Sequence, residues 1–186
     1  MRFIFMLLVF LCIVPKMYAS NKKVEAITNF KAELYVGNWY EIARIPFYFE
    51  KDCIAPIIAN YALDDDGLSV INSCKNRDGT VSNSLGEATF VESSNIAKLQ
   101  VTFVPKWMRF THIGRGDYWI MYTDYQYSLV GSPDHKYLWI LSRSEVVDAN
   151  KIIALLNIAR DHGFDVKHLE FNYNLDKQVM DYIKKQ

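Results

Sequence analysis

Cysteine is scarce in this chain, with three in 186 residues, and histidine is nearly so, with four. Cys12 lies inside an apolar run, which leaves Cys53 and Cys74 for the remainder. Two separated thiols, with His112, His135, His162 and His168 at no metal-ligand spacing, exclude a zinc-finger type of site, which needs about four close ligands. No Gly-rich phosphate loop stands out among the eight glycines. A charge excess is missing too, since 21 Lys and Arg face 21 Asp and Glu. That balance tells against general nucleic-acid binding. The apolar stretch Phe3 to Val14 is too short for a comfortable membrane span.

What is present at the N-terminus has the order of a secretory signal. Arg2 precedes the apolar run, and "PKMYAS" places small Ala19 and Ser20 at a peptidase site. Residues 1–19 are therefore predicted to be cleaved, taking Arg2, Cys12 and Lys16 with them and leaving a net charge of about −2. Two cysteines in an exported chain suggest one disulfide between Cys53 and Cys74. The alternative is a pair of buried free thiols acting as small apolar side chains.

Between Asn38 and Arg143 no helical repeat occurs. Short strand-like segments recur instead, separated by turn chemistry: "PIIANYAL", "DDDG", "LSVINSC", "NRDG", then "TVSNSLGEATFV" and "AKLQVTFV". The last alternates cleanly, with Leu99, Val101 and Phe103 on one face and Lys98, Gln100 and Thr102 on the other. "DYWIMYT", "YSLVG" and "KYLWILSR" complete eight strands with mostly short connections. An antiparallel meander of that length with one apolar face is best closed into an up-and-down barrel, because closure removes the edges. The fold class predicted is all-β with one C-terminal helix.

From Asp148, a fitting N-cap, the spacing of Ile152, Leu155, Leu156 and Ala159 predicts an amphipathic helix over about 148–162, stopped by Gly163. Its single apolar stripe places it against the outside of the barrel. A short strand around His168 to Phe171 follows. Residues 20–175 form one domain, and the tail 176–186 is a weak helix or frayed.

An eight-stranded meander with one C-terminal helix, opened by Gly37-x-Trp39, resembles the lipocalin family. "GNWYEIAR" looks like its first signature, "TDYQYSLV" (Thr123 to Val130) its second, and "YLWILSR" (Tyr137 to Arg143) its third. The wording "WYEIAR", "ANY" and "YLWILSR" is similar to the bacterial and apolipoprotein D-like members. The resemblance implies a cup closed near Trp39 and Arg143, with the Arg guanidinium across the Trp ring and Thr123, Asp124 and Tyr125 as a supporting turn. These residues, with Gly37, are expected to be structural. The first, third, fifth and seventh connections would form the mouth. Many bacterial relatives are lipoproteins, but Cys12 follows Leu11 and comes too early for a lipidation site. A soluble periplasmic or secreted protein is expected, not an anchored one.

Strand parity predicts the lining, since residues two apart share a face. Trp39 inward brings Glu41 and Ala43 inward, and Arg143 on that face brings Trp139 and Leu141. Leu99, Val101, Phe103, Tyr118, Ile120 and Val130 follow by alternation. Small Ala43, Ala59, Gly86, Ala88 and Ser128 leave room for a ligand, although an eight-stranded interior can be filled by its own side chains. Glu41 has two readings open: hydrogen bonding to Tyr61 or Tyr118 within the wall, or meeting a polar ligand group. Phe47, Tyr48 and Phe49 in the first connection and "PKWMRFTHIGRG" in the fifth should rim one opening. There Lys106, Arg109, His112 and Arg115 interleave with Trp107 and Phe110. That pattern suits an anionic head group or peripheral contact with an anionic membrane; an ordinary solvated loop is the alternative.

The function expected is binding and transport, storage or scavenging of a small apolar or amphipathic ligand, a fatty acid or lysophospholipid. No catalytic constellation, cofactor or metal is expected, and the oligomeric state is left open. An enzyme acting on a lipid or isoprenoid through Glu41, or an interaction module with a filled barrel, are the alternatives.

Overall fold

The computed structural model describes residues 22–105, 107 and 114–185, with Phe49 described by its backbone alone. The expected signal segment 1–19, Lys106 and Arg109 lie outside the described residues. The elements are α1 (Ala32–Tyr35), β1 (Gly37–Arg44), β2 (Cys53–Asp64), β3 (Gly67–Asn76), β4 (Val81–Phe90), β5 (Lys98–Thr102), β6 (Arg115–Thr123), β7 (Tyr127–Gly131), β8 (Leu138–Ser142), α2 (Ala149–Asp161), β9 (Glu170–Phe171) and α3 (Lys177–Lys184).

Strands β1 to β8 pair antiparallel with their sequence neighbours, and β1 closes the ring by pairing with both β8 and β2. The eight-stranded barrel expected from the alternation is present. Two turn signals act as read: Asp65 and Asp66 turn β2 into β3, and Asp78 accepts from the Thr80 amide at 2.9 Å in the β3–β4 turn. Gly79 sits there at φ +89°, a conformation only glycine adopts without strain.

Two apolar cores result. The inner one holds Phe30, Tyr35, Trp39, Tyr61, Leu68, Val70, Leu99, Ile120 and Val130. The outer one packs α2 on the barrel through Ile152, Leu155, Leu156 and Ala159, against Ile42, Leu129, Leu138 and Ile140. Asp148 caps α2 by accepting the Asn150 amide at 2.7 Å, and Gly163 at φ +93° ends it. In the tail, α3 is a formed helix that buries Val179 in the same outer core.

The position of Ala43 corrects the parity reading. Between Glu41 and Ala43 the β1–β8 register slips, so that Glu41 faces Leu141 while Ala43 faces Ile140. The extra residue reverses the alternation. Ala43 is therefore buried in the outer core and does not line the cup. Past the slip β1 pairs with β9, Ala43 with Phe171 and Arg44 with Glu170.

Candidate ligand cavity

The closed end is built around Trp39, which is fully buried and donates from Nε1 to the Tyr35 carbonyl at 2.8 Å. The Arg143 guanidinium lies 3.8 Å from its ring centre. Arg143 donates to the carbonyls of Leu34, Val36, Asn38 and Tyr125 at 2.7 to 3.3 Å, tying α1, β1 and the β6–β7 turn together. Gly37, at φ +94°, brings the backbone beside this guanidinium, where a Cβ would stand 3.4 Å from Arg143 Nη1. Asp124 Oδ1 accepts from the Gln126 and Tyr127 amides, its Oδ2 from Lys151 of α2 at 2.8 Å, and Thr123 Oγ1 from the Tyr125 amide.

Above this plug lies a tyrosine floor. Tyr61 and Tyr118 hydroxyls are 2.7 Å apart, Tyr35 and Tyr118 3.4 Å, and Tyr35 reaches Ser128 Oγ at 2.9 Å. Burial holds all three tyrosines protonated, Tyr35 being pushed up to about 12 and the other two raised as well. Leu99, Ile120 and Val130 point inward as predicted but sit fully buried in this inner core. The N-terminal segment carrying Phe30 and Tyr35 fills the space beside them, so they belong to the floor and not to the cavity wall. That plug was missed because nothing in its composition distinguishes a plug from a linker.

Over the floor a cavity of about 930 Å³ opens, lined by Glu41, Ala59, Ala88, Val101, Phe103, Tyr118, Trp139 and Leu141 among others. One wall is aromatic. Tyr137 stacks on Trp139 with centroids 5.8 Å apart, Phe47 meets both edge-on, and Tyr118 lies 6.0 Å from Trp139. Phe103 covers Gly86, where a Cβ would fall 2.7 Å from the Phe103 ring. Trp107 in the fifth connection is largely exposed. Cys53 and Cys74 form a disulfide with Cα atoms 5.5 Å apart, fastening the start of β2, just after the first connection, to β3.

Glu41 does not bond the tyrosines, which are occupied with one another. Its Oε1 accepts from Arg44 Nη1 at 2.7 Å and from Asn172 Nδ2 at 2.8 Å. Glu50, from the first connection, lies beside it with Oε2 3.6 Å from Arg44 Nε, and Glu170 reaches Arg44 Nη2 at 3.2 Å. Burial first, then the charge and hydrogen bonding of Glu41, push the Glu50 carboxyl up to about 9 against the pull of Arg44. At neutral pH Glu50 carries a proton shared toward Glu41. Two buried carboxyls, Glu41 and Glu50, beside one guanidinium favour that neutralisation over a surplus of buried negative charge, while Glu170 is more than half exposed. Sequence distance hid this cluster: Glu170 and Asn172 arrive from beyond the helix, and only β9 brings them to Arg44.

Residues 30–174 match the lipocalin-like domain family. The chain belongs to the lipocalin family. This lipocalin is 35% identical over 162 residues to temperature-induced lipocalin-1 of Arabidopsis thaliana, covering 81% of this chain and 82% of the other. Outer membrane lipoprotein Blc of Escherichia coli K12 is 38% identical over 147 residues, covering 77% and 78%. Apolipoprotein D of Macaca fascicularis is 37% identical over 151 residues, covering 76% and 75%. Insecticyanin from the tobacco hornworm Manduca sexta superposes with TM-score 0.63 over 84% of this chain and 86% of its own, at 24% identity, a likeness of fold. The lipocalin resemblance read from the three signatures is thus shown, and so is the likeness to bacterial and apolipoprotein D-like members read from "WYEIAR", "ANY" and "YLWILSR".

Proposed function

We propose that this lipocalin binds a small apolar or amphipathic molecule in its cup, a fatty acid or lysophospholipid, for transport, storage or scavenging in the cell envelope. The observation that carries the reading is the cavity of about 930 Å³ standing over a packed floor. Its aromatic and aliphatic wall rewards burial of an acyl chain by about 0.8 kcal/mol per methylene. Space on that scale tells against a barrel filled by its own side chains. Glu41 is already engaged by Arg44 and Asn172, which favours a wall role over acid–base chemistry.

Arg77 and Arg115 line the cavity together with Asp52, Asp78 and Asp117, so its polar groups include cations for an anionic head group. Lys106 and Arg109 are proposed to add to them and to allow peripheral membrane contact. Export through residues 1–19 would deliver a soluble periplasmic or secreted protein, in contrast to the Blc relative, whose name is that of a lipoprotein.

Lipid-stripped protein titrated with a fluorescent fatty acid, in competition with unlabelled fatty acid and lysophospholipid, tests the reading. Saturable stoichiometric binding with displacement is expected, and absence of binding by folded protein would sink it. Charge reversal at Lys106 and Arg109 should weaken a fatty acid more than a neutral alcohol of equal length. Equal losses would remove the head-group role.

A further inference from the structure

The cavity has two unlike walls. Trp139 on β8 anchors the aromatic one, and β4, four strands away around the ring of eight, stands across from it. Here the mouth-side halves of β3 and β4 turn polar residues inward and apolar ones outward, while Leu68, Val70 and Ala88 lower on the same strands stay in the inner core. Asn72, Ser82 and Ser84 line the cavity, while Ile71, Val81 and Leu85 are left 45%, 67% and 67% exposed. Asn72 and Ser84 are direct partners in the register, as are Ile71 and Leu85. Alternation then fixes the sides: Asn72 and Ser84 point in together, Ile71 and Leu85 out together.

Ser82 is occupied, accepting from Asn76 Nδ2 at 2.7 Å in the hairpin turn. Asn72 and Ser84 are not: among the described residues neither side chain has a hydrogen-bond partner, whereas the tyrosine hydroxyls below them all do. Their row, Ala59–Asn72–Ser84, lies one inward step above the row of Tyr61, Val70 and Gly86 that borders the floor. With barrel tilt, that step is about 5–7 Å along the axis. The two polar groups therefore stand midway up the cup, one inward step above the floor row and one below Ser82, with Asn72 half-buried and Ser84 exposed.

We infer that Asn72 and Ser84 form a subsite for a neutral oxygen carried part-way along the ligand's apolar body, a hydroxyl or carbonyl some four to six carbons from its buried end. The inference rests on the carrier reading and names a ligand class within it: oxygenated chains over plain ones. An amide and a hydroxyl each donate and accept, so together they satisfy either kind of neutral oxygen without a charge. A plain alkyl chain pressed on this wall displaces water from both groups and returns no hydrogen bond, which makes the pair discriminating and not merely tolerant.

The experiment is displacement of an anthroyloxy-labelled fatty acid from the lipid-stripped protein by octadecanoate, 12-hydroxyoctadecanoate and 2-hydroxyoctadecanoate. The 12-hydroxy chain should bind about tenfold more tightly than octadecanoate, and the 2-hydroxy chain, whose oxygen stays near the mouth, should gain little. Asn72→Leu with Ser84→Ala should abolish or reverse the preference by improving octadecanoate. Ser84→Ala alone, a smaller change to the fold, should reduce it. Equal binding of the three chains by the wild type, or a preference that survives Ser84→Ala and the double variant undiminished, overturns the subsite and leaves the carrier intact. Binding of none of them overturns both.

Discussion

The closed end and the open end of this barrel are made of the same strands but obey different rules. At the closed end large side chains are fully buried, and the polar groups of Arg143, the tyrosines and Asp124 are matched by partners. Toward the mouth, Asn72 and Ser84 face the cavity without partners and Phe103 is 41% exposed. Both are open to water, Ser84 exposed and Asn72 half-buried, so neither costs the fold what a fully buried unpaired group would, and their proposed role is to match an oxygen of the ligand. The floor holds the barrel shut, and the upper cup is what the floor supports.

The sharpest way to break this contrast is to truncate one aromatic residue at each level. Trp39→Ala should cost about 3–5 kcal/mol, since a fully buried indole leaves a cavity and strips Arg143 of its ring. Phe103→Ala should cost less than about 1 kcal/mol in stability yet alter ligand affinity. Urea denaturation and probe binding measured on both variants decide it, and equal stability losses would erase the division. Next in size is the disulfide, whose partners are 21 residues apart. Replacing both cysteines by serine should lower stability by about 2–4 kcal/mol, read from urea midpoints, because the unfolded chain regains its freedom. A negligible change would confine the bridge to ordering the rim.

Smallest is the proton on Glu50. Its folded value of about 9 exceeds the ordinary 4.5, so the folded protein binds more protons than the unfolded chain across that window. Stability from this group is greatest below about 4.5 and falls as pH rises toward 9. Glu50→Gln mimics the protonated acid. It should flatten that decline and raise the melting temperature at pH 8 by roughly 3–6 °C. An unchanged slope of melting temperature against pH would mean that the proton resides elsewhere.

Much of this was legible beforehand for a local reason. Leu99, Val101 and Phe103 alternate within five residues, Asp148 and Gly163 bracket a helical stripe, and each such pattern is complete in a short window of chain. Trp39 and Arg143 were legible through the family signatures. The inward list failed at Ala43 because a single-residue bulge is invisible to a rule of two. It over-reached at Leu99, Ile120 and Val130 because parity tells the side of a strand and not the depth. Asn72 and Ser84 had a signal, polar residues at inward positions of β3 and β4, that was overlooked in favour of apolar ones.

The amino-acid order by itself determined the strand count, the turns, the outer helix and the family, since period, turn chemistry and motif spacing are properties of neighbouring residues. Only the tertiary structure decided which inward residues form floor and which form wall, and it alone gathered Glu41, Arg44, Glu50, Glu170 and Asn172. Those outcomes depend on the register between β1, β8 and β9 and on where Phe30 and Tyr35 come to rest, and register is settled by packing between segments far apart in the chain.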